Sequence, residues 1–99
     1  MDGKLMEYYR AIEDGSARML EAARAEEWEE VVRFEKMCAV LIEQLRHQAR
    51  KEELSAEQRV EKTRIMQRIL KNDSQIRHLA EPWFDQLGGG QTGQPSVLH

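Results

Sequence analysis

The sequence predicts an all-α fold, an antiparallel helical hairpin or bundle of three long helices plus a short C-terminal helix. Three observations carry that reading. Apolar residues recur at steps of three and four through three long segments, the period of a helix with one buried face. No strand-like alternation of apolar and polar residues interrupts them. Charged residues make up 33% of the chain, above the ~25% of an average soluble domain, which suits helices with long solvated faces.

The first helix is predicted over 4–24. Leu5, Tyr8, Tyr9, Ile12, Met19, Leu20 and Ala23 form its apolar stripe, with Ser16 filling the gap. Glu7, Arg10, Glu13, Asp14 and Arg18 take the other side, and Asp2 is the expected N-cap. Gly15 sacrifices up to ~1 kcal/mol of helix propensity, which fits a close approach of two helices. Residues 25–27 hold no strong breaker, so a turn and a kink both remain open there.

The second stripe runs Trp28, Val31, Phe34, Cys38, Leu41, Ile42, Leu45 and Ala49. That helix should end near Arg50, where Arg46, His47, Arg50 and Lys51 complement the negative end of the helix dipole. Ser55 followed three residues later by Gln58 is a capping-box spacing that opens the third helix. Its span is predicted as 56–80, with Val60, Met66, Ile69, Leu70, Ile76, Leu79 and Ala80 on the stripe. Asp73 interrupts that stripe and reads as a partly exposed or paired polar residue. Pro82 disfavours helical geometry at Glu81 but suits the first position of a new helix, so Trp83, Phe84 and Leu87 are placed on a short fourth one. Residues 1–87 then form one helical domain. Residues 88–99, with four of the six glycines, are expected to be a flexible tail.

Composition excludes several function classes. A net charge of −3 argues against nucleic acid as a partner. The longest apolar run is Met37 to Ile42, far short of the ~20 residues a membrane span needs. No signal-peptide pattern opens the chain, and the lone Cys38 rules out an intramolecular disulfide. A soluble, cytoplasmic protein is the expectation. His47, His78 and His99 are scattered and lack the spacing of a metal site. Cys38 falls on the apolar stripe without an activating partner, and reads as a small buried hydrophobe. Gly88–Gly90 has neither the preceding strand nor the following Lys-Ser/Thr of a phosphate loop. Most carboxylates lie opposite the stripes, and no pair of positioned titrating groups assembles. Neither catalysis nor a cofactor is expected.

Two features exceed what a small bundle needs. Met37, Cys38, Ala39, Val40, Leu41 and Ile42 are consecutive apolar residues, and at ~100° per residue they cover the whole circumference of a helix. Either the second helix is central and covered by both neighbours or by a homodimer partner, or part of it is exposed for another protein. The second feature is Pro82-Trp83-Phe84-x-x-Leu87. Two large aromatics on so short a helix must dock on something, because isolated nucleation is too unfavourable. Trp83, Phe84 and Leu87 are therefore candidates for a lid, if they do not pack permanently on the bundle.

Four runs carry a likeness to a known family: YYRAIEDGSARMLEAARAEEWEEVVRFEK, LIEQL, LSAEQR and RILKNDSQIRHLAEPWFDQL. The most telling pieces are S-x-x-M-L-x-x-A-x-x-x-x-W from Ser16 to Trp28 and I-R-x-L-x-x-P-W from Ile76 to Trp83. Over about residues 5–87 the chain resembles the FliT-type flagellar export chaperones. The resemblance implies a cytoplasmic helical chaperone that binds the C-terminal region of the filament-cap protein (FliD-type). It would prevent premature assembly and deliver its client to the export gate with its ATPase apparatus. It also implies, for some members, restraint of the flagellar master transcription activator, and a C-terminal helix that covers the substrate surface. This chain has only about one and a half turns before its glycine run, so a full-length autoinhibitory helix is not expected. A client would enter an apolar groove on the second and third helices, with Phe34, Met37, Leu41, Leu45, Met66, Ile69 and Ile76 as candidate contacts. The methionines suit a surface that must re-pack around a partner. The alternative is a structural coiled-coil or homodimeric adaptor whose apolar excess is consumed by self-association.

Overall fold

A computed structural model describes residues 3–84, with side chains described through Pro82. Three helices follow one another, α1 (Lys4–Arg24), α2 (Trp28–Ala49) and α3 (Ala56–Phe84), and no strand occurs among the described residues. The chain runs up, down and up, so α1 and α3 are parallel. Cross-helix bonds from Arg10 to Glu61 and from Arg24 to Gln75 fix that direction. α2 and α3 each pack along α1 and only marginally on one another. The central helix is thus α1, not α2.

Burial follows from that arrangement. α1 has neighbours on two flanks, and Leu5, Met6, Tyr9, Ile12, Leu20, Ala22 and Ala23 are all buried on it. The core forms two clusters. Near the start of α1, Leu5, Met6 and Tyr9 meet Ile65, with Leu45, Leu54 and Ile69 partly buried around them. Near its end, Leu20 and Ala23 meet Ile76, flanked by Met19, Trp28 and Val31. Between the clusters a polar pair is satisfied in place: Ser16 Oγ donates to the Glu13 carbonyl at 2.9 Å and accepts from Asn72 Nδ2 at 3.0 Å.

The helix ends have separate causes. Gly3, not Asp2, is the N-cap of α1, in extended geometry with no side chain to offer. Asp2 lies outside the described residues. A distant carboxylate replaces the missing cap: the Leu5 N–H donates to Glu52 Oε1 at 3.2 Å, and Gln48 Nε2 holds the same oxygen at 3.0 Å. A Cβ on residue 3 would sit 1.9 Å from Glu52 Oε2, so any other residue there would push the Glu52 carboxylate out of this position.

The α1–α2 connection is a true turn. The Glu27 N–H donates to Ala22 O at 2.9 Å and the Glu26 N–H to Ala23 O at 3.0 Å, the Schellman pattern. It puts Glu26 at φ 59°, a position that usually takes glycine. No glycine marks the place, so the sequence left a kink open beside the turn expected between 24 and 28. The capping box at α3 forms as its spacing predicts, with Ser55 N–H to Gln58 Oε1 at 2.9 Å and Gln58 N–H to Ser55 Oγ at 3.2 Å.

The break expected at Glu81 does not occur. α3 runs without interruption through Pro82 to Phe84. Proline removes the amide that would close on His78, one helical hydrogen bond, and the helix continues past it. A separate fourth helix is therefore absent among the described residues. Leu87 and the glycine-rich stretch 88–99 lie outside them, as do the side chains of Trp83 and Phe84.

Candidate functional site

The apolar excess of α2 resolves residue by residue. Within Met37–Ile42 only Cys38 is buried, Leu41 is half-buried, and Met37, Ala39, Val40 and Ile42 are exposed. Cys38 faces α1 opposite Gly15, where an added Cβ would come within 2.8 Å of its Sγ. Burial pushes the Cys38 thiol above its usual range, so it sits as a neutral, slow nucleophile.

The seven candidate contact residues do not share one surface. Phe34, Met37 and Leu41 line a groove of about 270 Å³ between α2 and α1, together with Ala11, Gly15 and Cys38. Leu45 and Ile69 pack against the first core cluster, and Ile76 belongs to the second. Met66 is exposed on α3. The helical period selected apolar positions correctly but could not tell which flank of a helix faced which neighbour.

Because α2 and α3 splay apart along α1, a cleft opens between them. Its lower part is a cavity of about 300 Å³ floored by Met19, Trp28, Val31 and Ile76. Val32 and Glu35 form one wall, Asp73, Arg77 and Ala80 the other. Asp73 pairs with Arg77 at 2.9 Å on that wall, which explains a carboxylate inside an apolar stripe. Helical geometry carries the same faces upward: Ala39 and Ile42 continue the α2 wall at steps of three and four, and Leu70 and Met66 continue the α3 wall. Val32, Ile42, Met66 and Leu70 all remain substantially exposed, at 46%, 39%, 39% and 63%. The cleft is thus an apolar trough two turns long or more, the shape that receives the apolar face of a helix.

Among the described residues, no group of three His, Cys, Asp or Glu side chains is placed to hold a metal ion. No described helix is long and apolar enough to cross a membrane.

Residues 6–91 match the family model described as flagellar protein FliT. The chain belongs to the FliT family. FliT is a chaperone family rather than an enzyme family. Among solved structures, the chain is similar to the crystal structure of flagellar protein FliT from Bordetella bronchiseptica, with 33% sequence identity and a TM-score of 0.79. That likeness covers 88% of this chain and 98% of the Bordetella chain. No curated protein matches. The family match spans all but the first few of the described residues.

Proposed function

We propose that this chain is a cytoplasmic flagellar type III export chaperone that holds the C-terminal segment of a FliD-type filament-cap protein in the α2–α3 cleft. Shielding that segment prevents premature assembly until the export ATPase apparatus receives the client. One observation supports the reading above the rest: a FliT-family body leaves Val32, Ile42, Met66 and Leu70 exposed along a single trough. Such a surface is unfavourable in water unless something covers it for part of its life. A cap-protein helix with apolar residues at i, i+3, i+4 and i+7 is the matching shape.

The test uses exposed positions, where a charge does not disturb the core. Val32→Glu and Leu70→Glu are expected to weaken binding of a cap-protein C-terminal peptide at least tenfold by titration calorimetry, with unchanged helicity. Unchanged affinity in both folded variants would remove the cleft assignment. The homodimeric adaptor makes a different forecast: sedimentation would show a tight dimer across concentrations, and the same two substitutions would dissociate it.

A further inference from the structure

A second site lies apart from the proposed client cleft. It is a groove of about 530 Å³ between α1 and α3, and it shares no lining residue with that cleft. Both helices present opposite flanks to the two sites. Ala17 of the groove and Met19 of the cleft lie two residues apart on α1, hence ~200° around the helix. Lys71 and Asp73 stand in the same relation on α3.

We propose that this groove docks an acidic helical segment of a second protein while the client cleft stays free. Its lining holds four cations, Arg10, Arg24, Arg68 and Lys71, against two carboxylates, Glu13 and Asp14. That local excess of positive charge stands on a chain whose net charge is −3. The two carboxylates are already engaged, Glu13 by Arg68 at 3.2 Å and Asp14 by Arg18 at 2.9 Å. Arg10 is held by Glu61. Cationic character therefore concentrates in the lower part, where Lys71 is exposed, Arg24 bonds the neutral Gln75 among the described residues, and Ala17 and Leu20 make a small apolar floor. Arg64 extends the row, since Arg64, Arg68 and Lys71 fall at i, i+4 and i+7 on one face of α3.

A partner helix with carboxylates at the same spacing and a small residue between them complements both the row and the floor. A protein segment is favoured over nucleic acid because Glu13, Asp14 and Glu61 interrupt the positive row. Discrete carboxylates can be placed between them, but a continuous phosphate backbone would run across them. Charge of this kind chiefly accelerates encounter and sets register, so the contact should be fast and salt-sensitive.

Fluorescence anisotropy of the full chain with a labelled helical peptide carrying Glu at i, i+4 and i+7 around alanine tests the proposal. A matched Glu→Gln peptide and a duplex oligonucleotide serve as the other probes. The expected result is binding of the Glu peptide that weakens at least tenfold in Lys71→Glu and in Arg24→Glu, and falls with added salt. Leu70→Glu, on the client wall, should leave it unchanged. Equal binding of the Gln peptide, tighter binding of the duplex, undetectable binding of the Glu peptide, or retained binding in both folded charge variants would each overturn it. Lys71 and Arg24 are exposed and touch no core cluster, so circular dichroism should show both variants folded.

Discussion

α1 and α2 are nearly equal in length, yet they spend their apolar residues in opposite ways. α1 buries nine of its residues, whereas α2 buries Cys38 alone. α2 nonetheless carries the longest apolar run in the chain. The difference lies in position: α1 has a helix on two flanks and α2 on one. A helix with one neighbour can bury one stripe, and whatever apolar surface exceeds it faces solvent or a partner. In this molecule the buried apolar residues concentrate on α1, and the exposed large ones lie on α2 and α3.

That division has an immediate mutational consequence, and it is the largest effect expected. Met6 is wholly inaccessible at the heart of the first cluster. Met6→Ala should destabilise by about 2–5 kcal/mol, lowering the thermal midpoint by about 8 °C or more. Val40→Ala, at a residue 57% exposed on α2, should change stability by less than about 0.5 kcal/mol. Thermal unfolding of the two variants side by side would break the comparison if the losses proved similar.

The next effect concerns where the two helices touch. Gly15→Ala brings a Cβ to within 2.8 Å of Cys38 Sγ, a strain of about 1–3 kcal/mol, against ~1 kcal/mol of gained helix propensity. A net loss of up to ~2 kcal/mol is expected by urea unfolding. In a Cys38→Ala background the obstruction is gone, and the same change should stabilise by about 1 kcal/mol. A Gly15→Ala effect that keeps its sign and size in both backgrounds would show that the close approach at Cys38 does not set the helix spacing.

Much of this was legible from residues alone. The spans of α1 and α2, the Ser55–Gln58 box and the paired state of Asp73 follow from local chemistry that neighbours do not alter, and the burial of Cys38 from its place on the apolar stripe. What was not legible depends on which flank meets which helix. The row read on α3 joined two flanks, the buried or partly buried Ile69, Ile76 and Ala80 with the exposed Val60, Met66, Leu70 and Leu79. Ile65, the buried residue of the first cluster, was passed over because it lies off that row. For the same reason Phe34, Met37 and Leu41 were assigned to a groove with α3, although they face α1. The Glu52 cap could not be read either, since its partner at Leu5 is 47 residues away.

That cap supplies the third test of the central helix. Glu52→Ala leaves the Leu5 N–H without its acceptor and should destabilise by about 1 kcal/mol, with the start of α1 losing hydrogen-exchange protection first. Glu52→Gln keeps an acceptor oxygen and should recover part of that loss. If instead exchange rises in α2 and not in α1, the carboxylate acts on its own loop rather than across it.

The smallest effect is expected at the other end of α1, and its sign is reversed. Glu26 holds a left-handed backbone at φ 59°, which disfavours a side chain by about 1–2 kcal/mol. Glu26→Gly removes that strain but gives the unfolded chain more freedom, an offset of about 0.4–1 kcal/mol. The balance is a stabilisation of about 0.5 kcal/mol, or a rise of about 2–4 °C in the thermal midpoint. Glu26 is exposed, and no described bond uses its side chain, so little packing is lost. A stabilised Glu26→Gly variant would place the strain in the turn, where α1 hands the chain to its exposed partner. A destabilised one would mean that the Glu26 side chain holds α2 against α1, and that the two helices are less unequal than their burial suggests.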